Sequence, residues 1–205
     1  MKNPGVLLIS APLCFSGYGV IRLFGLSDGR YGPGIDWQAG HIVGLIGMVL
    51  FVPAVLGMER LLPHGKWRTG TVIVTLVGLA TTIVQFCADI VFAALAADKA
   101  EMSRLSHEFS AIPGVRPTFY TVGPPLFFLG LIVLTVLLAR AGRLPWWSPV
   151  VMAISTMAPL LTLDLIPIAG VGILASVVAL SGNAEFEATS PVRQAEARGR
   201  KRSVG

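Results

Sequence analysis

The sequence predicts an all-α protein, a polytopic transmembrane helical bundle of five to six helices. Of its 205 residues, 54% are hydrophobic and only 13% are charged, and the mean hydropathy is +0.73. Soluble domains carry about 25% charged residues. Several apolar runs approach the ~20 residues that a helix needs to cross a hydrocarbon core of about 30 Å. We therefore expect residues 1–181 to form one bundle in the bacterial cell membrane, with no soluble domain.

Uninterrupted apolar runs predict four spans, at residues 6–24, 37–62, 71–97 and 122–139. The last apolar region covers residues 147–180. A single helix of that length would be ~50 Å long, which exceeds the ~30 Å core. The turn-forming sequence at residues 164–167 lies near its centre, so we favour two short helices there and six spans over five.

The connection between residues 98 and 121 is the only long one. Met102, Leu105 and Phe109 recur at helical spacing among charged residues, which predicts a short amphipathic helix on the membrane surface. Long connections in compact domains often serve as lids. We therefore expect this segment to cover one end of the bundle.

Residues 182–205 are predicted to form a disordered basic tail, because the segment is polar and has no apolar periodicity. It holds five of the sixteen basic residues: Arg193, Arg198, Arg200, Lys201 and Arg202. Counting Lys and Arg on either side of the membrane favours a cytoplasmic tail in both the five-helix and the six-helix arrangement. The tail could contact anionic lipid headgroups, whereas no folded basic surface indicates nucleic-acid binding.

Asp89 is the leading functional candidate, because it is a carboxylic acid within an apolar span. Thr81, Gln85 and Asp89 are four residues apart and Phe92 follows three later, so all four share one helix face. Intramembrane ionisable residues are costly and usually point into the bundle or a wet cavity. Two structural alternatives remain: Asp89 pairs with Arg22, or it stays protonated and bonds to Gln85 or Tyr18.

The order of the spans brings a set of polar and aromatic residues to the same end of the bundle. Ligand sites are concave and mostly apolar, with a few convergent polar groups, and this set fits that description. Its members are Tyr18, Arg22, Asp36, Trp37, His41, Gln85, Asp89, Phe92, Phe119, Tyr120 and Asp164.

Several chemistries are excluded by the motifs that they require. The chain has no metal-binding HExxH or HxxxH pair, no second intramembrane histidine for haem, no GxSxG elbow and no phosphate-binding P-loop. Aspartate-rich motifs for diphosphate and magnesium are also absent, and we expect no cofactor and no metal site. Proton chemistry remains, which leaves proton-coupled transport or protonation-initiated cyclisation of an apolar polyene, with an accessory membrane subunit as the third possibility.

Two stretches, Trp-Gln-Ala-Gly-His at residues 37–41 and Ala-Asp-Ile-Val-Phe at residues 88–92, carry a resemblance to small actinobacterial membrane proteins. The likeness covers most of residues 5–181 and includes the membrane-embedded terpene cyclases of the drimentine type. It implies a cyclase acting on a prenylated, indole-bearing compound. No catalytic motif of that family can be matched residue by residue, so the resemblance assigns no residue a role.

The physical pattern suggests the following roles for a cyclase. Asp89 would donate the proton, kept neutral by burial, and Glu59 and Asp36 are the fallback acids, since two carboxyl groups can divide acid and base work. His41 and Gln85 would orient the acid. Aromatic faces stabilise cations, and the residues expected to line the cavity for that purpose are Tyr18, Trp37, Phe86, Phe92, Phe119 and Tyr120. The expected partners are a lipophilic small-molecule substrate and membrane lipids; the oligomeric state stays open.

Overall fold

A computed structural model describes residues 4–27 and 32–181, and within these ranges the fold is all-helical, as predicted. The tail predicted at residues 182–205 lies outside the described residues. A π-helical segment, Arg116–Val122, leads into the fifth helix, and a 3₁₀ turn, Leu163–Leu165, joins the last two. The helices are α1 (Pro4–Leu26), α2 (Ile35–Arg60), α3 (Lys66–Leu95), α4 (Lys99–Ala111), α5 (Gly123–Arg140), α6 (Ser148–Leu161) and α7 (Ile166–Val177).

Five helical segments of the described chain are long and apolar enough to cross a membrane, in line with an integral membrane protein. They are Gly5–Leu26, Ile35–Arg60, Lys66–Leu95, Arg116–Arg140 and Leu163–Ser181. Helix α6 is apolar but has only 14 residues, which gives it a length of ~21 Å. The bundle thus has five full-length spans and one short helix, and the expected range of five to six is confirmed.

The break predicted at residues 164–167 is also confirmed. Helix α6 ends at Leu161, the Thr162 side chain caps the following turn by accepting from the Asp164 backbone N–H, and α7 begins at Ile166. Pro167 lies in the first turn of α7, where its missing N–H costs no helical hydrogen bond. The turn between α6 and α7 is therefore capped by a side chain, and Pro167 occupies a helical position that needs no N–H donor.

The helices other than α4 pack in a closed ring in the order α1, α2, α3, α5, α6, α7, with α7 returning to α1. The centre of the ring is filled by fully or nearly fully buried apolar side chains, among them Phe51, Leu79, Phe127, Leu134 and Met152. The contacts with α4 come mainly from α3, so α4 lies outside the ring at one end.

Glycines set the closest approach between α3 and α5. A Cβ atom on Gly78 would clash with the backbone of Phe127, and one on Gly123 or Gly130 would clash with Thr81 or Thr75. Membrane helices lack a strong hydrophobic force between them, so such small-residue contacts supply much of the packing energy.

Glycines also allow close packing on α2. Gly47 approaches the α1 backbone near Ala11, and Gly44 makes room for the Phe86 ring of α3. These two glycines therefore lie on a face of α2 that neighbouring helices approach closely.

The amphipathic helix predicted in the long connection is α4. The Asp98 side chain accepts a hydrogen bond from the Glu101 backbone N–H at 2.8 Å, which caps its first turn. No residue of α4 is fully buried. Phe109 packs against Phe92 with ring centroids 5.4 Å apart and against Phe119 at 6.4 Å. These rings fix α4 over the end of α3 and the segment that precedes α5.

We predict that Gly78→Ala lowers the free energy of unfolding by about 1–3 kcal/mol, because the added methyl group meets backbone atoms of α5 that cannot move aside. Gly57→Ala is the matched control, since no heavy atom lies within 4 Å of its Cβ position. Unfolding in mixed micelles, followed by circular dichroism, measures both variants. Equal stability of the two would contradict the proposed tight contact.

Candidate functional site

A cavity of about 460 Å³ lies between the start of α2, the end of α3, α4 and the π-helical segment. We call it the Asp89 cavity. Its lining residues are Trp37, Asp89, Phe92, Met102, Ser103, Ser106, His107, Ser110, Arg116 and Tyr120. Of the residues predicted from the sequence, the structure thus brings together Trp37, Asp89, Phe92 and Tyr120.

Local helical spacing explains why these side chains converge. Asp89 and Phe92 are one turn apart on α3 and point to the same side. Trp37 enters from the first turns of α2, where Gln38 donates a hydrogen bond to the Ile90 carbonyl oxygen at 3.1 Å. That bond, which the sequence did not reveal, ties the start of α2 to the end of α3 beside Asp89.

The Asp89 carboxyl group has no structural partner within residues 4–27 and 32–181: no ion pair and no hydrogen bond joins it to another described residue. Tyr120 is an electrostatic neighbour of Asp89. The Tyr120 hydroxyl is buried and lies near Ser106. No described group is close enough, at a suitable angle, to form a hydrogen bond with it. Two polar side chains in the cavity wall are therefore available to a bound molecule.

The alternative that Asp89 pairs with Arg22 is wrong in this structure. Arg22 Nη1 donates to Asp164 Oδ1 at 2.7 Å, and the Arg22 side chain is largely buried while that of Asp164 is more than half exposed. Both were expected at the substrate, but neither lines the Asp89 cavity. They connect α1 to the turn before α7 instead.

A cluster of rings lies directly behind the cavity wall. Trp37 stacks on His41 with centroids 4.2 Å apart, and Tyr18 contacts His41 and Phe86 edge-on at 5.2 Å each. The His41 Nδ1 atom is 2.9 Å from the Trp37 carbonyl oxygen. Tyr18, His41 and Phe86, expected to touch substrate or to orient the acid, therefore support Trp37 from behind and do not line the cavity.

The remaining expected residues are also outside the lining. Phe119 stacks on Phe109 of α4 at 6.4 Å, and Gln85 lies one turn before Asp89 on α3 without reaching the cavity. Asp36 is in the first turn of α2. Glu59 lies at the end of α2, where it accepts hydrogen bonds from Arg68 at 2.9 and 3.1 Å. Neither fallback acid lines the cavity.

The polar wall of the site was not among the residues predicted from the sequence. Ser103, Ser106, His107 and Ser110 recur at intervals of three, one and three residues, so they share one face of α4, and that face lines the cavity together with Arg116. The signal was present in this spacing. It resembles the solvated side of an amphipathic helix, however, and so did not stand out as a site.

No known protein family, curated protein or solved structure matches this chain. The resemblance to membrane-embedded terpene cyclases therefore stays a prediction. Within the described ranges, no group of three or more His, Cys, Asp or Glu side chains is arranged to hold a metal ion. The chemistry of the site must be argued from its own residues.

We predict that Asp89→Asn changes the free energy of unfolding by less than about 0.5 kcal/mol, because the carboxyl group makes no contact that the amide would lose. Glu59→Gln should cost about 1–3 kcal/mol, since it weakens charge-assisted hydrogen bonds to a largely buried arginine. Chemical unfolding in mixed micelles compares the two variants. A loss from Asp89→Asn as large as that from Glu59→Gln would identify Asp89 as a structural residue.

Proposed function

We propose that this protein is a membrane-embedded terpene cyclase that starts the cyclisation of a prenylated, indole-bearing substrate by protonation. The observation that carries the proposal is the Asp89 carboxyl group, which has no ion-pair partner among the described residues and faces an aromatic cavity. A cavity of about 460 Å³ falls within the usual range for small-molecule sites, about 300–1,000 Å³. The proposal places the protein in the bacterial cell membrane with a cytoplasmic C-terminal tail.

The reaction needs an acid, stabilisation of a cation and a base. Asp89, in its neutral form, gives its proton to a terminal alkene carbon of the prenyl chain, and the π electrons of that alkene form the new C–H bond. The resulting tertiary cation is attacked by the next alkene, which forms a C–C bond and moves the positive charge along the chain. Loss of a proton from the last cation gives a product of the same mass, and a proton returned to Asp89 completes the cycle.

The cavity offers aromatic faces where positive charge would develop. Trp37, Phe92 and Tyr120 line it, and a cation over such a face gains about 0.5–2 kcal/mol, more when water is excluded. Met102 is the apolar member of the α4 wall. These side chains set the conformation in which the prenyl chain binds. They also limit the access of water that would quench the cation.

The α4 wall has the groups that the polar part of such a substrate requires. The three serine hydroxyls accept and donate hydrogen bonds, and Arg116 has a planar guanidinium group for hydrogen bonding or stacking on an indole ring. His107 is the one imidazole side chain in the described lining. We assign it the acceptance of the terminating proton.

The proton-coupled transporter and the accessory subunit explain fewer of these features. A transporter requires a polar path to both faces, but Phe51, Leu79 and Phe127 are buried at the centre of the ring. The buried hydroxyls there, such as those of Thr75 and Thr82, donate to carbonyl oxygens of their own helix. An accessory subunit would leave the cavity and its unpaired acid without a role.

We predict that membranes containing the wild-type protein convert a prenylated indole, or a free farnesyl or geranylgeranyl compound, into isomers of unchanged mass. Asp89→Asn should reduce this conversion by at least about 100-fold, the usual contribution of a general acid. Chromatography with mass detection follows the products. Asp36→Asn is the matched control, because it removes a carboxyl group outside the cavity. Glu59→Gln tests the other fallback acid, with conversion compared per amount of folded protein because its ion pair with Arg68 is weakened.

The controls separate the possible results. Conversion retained in Asp89→Asn but lost in a control would keep the cyclase and move the acid. No isomer from any of these substrates would contradict the proposal and favour the transporter or accessory readings.

We further predict that His107→Gln alters the products more than the rate, because the terminating base acts after the first protonation. Without it, a larger share of the last cation should be captured by water, giving products one water heavier than the substrate. The ratio of isomers to hydrated products in the same assay measures this. An unchanged ratio would show that His107 is not the base.

A further inference from the structure

The opposite end of the bundle has a second concave surface, which is independent of the Asp89 cavity and of the proposed activity. A groove of about 650 Å³ runs along the outside of the ring between α3 and α5. We call it the α3–α5 groove. Apart from Lys66 and Thr71 its lining is apolar or glycine: Trp67, Gly70, Val74, Leu126, Leu129, Gly130 and Val133.

Small residues create this groove. Gly130 packs directly against Thr75, so the two helices touch with little side-chain volume between them. Gly70 lies one to two turns before Thr75 on α3, and no heavy atom lies within 4 Å of its Cβ position. The surface beside the α3–α5 contact is therefore left open, whereas most apolar side chains around it project outwards, as Val74, Leu129 and Val133 do.

A basic cavity of about 320 Å³ adjoins the groove at the start of α3. Trp67 lines both spaces. The basic side chains of the two linings are Lys66, His64, Arg68 and Arg140, and no acidic side chain belongs to either lining. Arg68 is engaged with Glu59, while Lys66, His64 and Arg140 are exposed and have no ion pair with a described residue.

We propose that the α3–α5 groove and this basic cavity together bind one anionic phospholipid. An acyl chain fills the apolar groove, and the phosphate lies between Lys66 and Arg140. Trp67, whose side chain is largely exposed, lies at the depth of the headgroup, where indole rings favour the interface. Basic pockets beside transmembrane helices select anionic over zwitterionic lipids, because each cation near the surface adds attraction.

The test uses the full chain in nanodiscs of phosphatidylcholine that contain a minor fraction of phosphatidylglycerol. One of the two lipids is brominated on its acyl chains, and the quenching of tryptophan fluorescence is measured. The part of the quenching that is lost in Trp67→Phe comes from Trp67 and measures how fully the brominated lipid occupies the groove. We expect brominated phosphatidylglycerol to quench Trp67 at a mole fraction about tenfold or more below that needed for brominated phosphatidylcholine.

Two pairs of variants separate the groove from the cations. Gly70→Phe should fill the groove and abolish the quenching of Trp67, whereas Gly57→Phe, whose Cβ position also faces open space, should behave like wild type. Lys66→Ser combined with Arg140→Ser should remove the preference for phosphatidylglycerol but leave quenching by either lipid. Lys99→Ser combined with Arg104→Ser removes two exposed cations of α4 and is the charge-matched control.

Four results would overturn the proposal. Equal quenching by the two lipids in the wild type would show an ordinary lipid-facing surface, and wild-type behaviour of Gly70→Phe would place the lipid elsewhere. A shift of Trp67 emission by inorganic phosphate in lipid-free detergent, as large as that caused by phosphatidylglycerol, would show a site for free anions. A dimer in native mass spectrometry that Gly70→Phe removes would show that a second copy of the chain occupies the groove.

Discussion

The ion pair between Arg22 and Asp164 determines what the acid end of the bundle can do. It joins α1 to the turn before α7 at a point where the two helices are already in close contact: Gly19 packs against Pro167, and the Ser16 hydroxyl donates to the Pro167 carbonyl oxygen at 2.8 Å. The pair therefore secures the closure of the ring. Because Arg22 is used in this way, it does not neutralise Asp89, which faces the cavity without an ion-pair partner among the described residues.

The fold could be predicted because the thickness of the hydrocarbon core limits the length of an apolar span. Apolar runs longer than a span must break, and the turn-forming residues at 164–167 indicated where this one does. The ends were less predictable: α3 begins at Lys66 and not near residue 71, since interfacial charged and aromatic residues continue a helix as readily as apolar ones. Pro117 likewise did not prevent a helical segment before α5, because it lies in the first turn.

The site was predictable only where its residues interrupt an apolar run. Asp89 did so, and Trp37 and Tyr120 followed from the end of the bundle that they share. Aromatic residues at the same end of the bundle can line the cavity or lie behind its wall, and the sequence does not distinguish the two. Tyr18 and His41 were expected in the cavity but pack behind it. The sequence also did not indicate whether Arg22 pairs with Asp89 or with Asp164, because both carboxyl groups carry the charge that an arginine requires. The polar face of α4 was overlooked because a surface helix is expected to have one.

Each end of the bundle has a concave space with ionisable side chains that have no ion-pair partner among the described residues. At one end, α4 covers the Asp89 cavity, and Asp89 has no ion-pair partner there among the described residues. At the other, glycines open a space outside the ring and cations remain unpaired beside it. An unpaired ionisable group in a membrane span contributes nothing to holding helices together and is costly to keep. The aromatic packing around Trp37 and Phe92 stabilises that end without help from Asp89, so the acid is best explained by a molecule that enters the cavity.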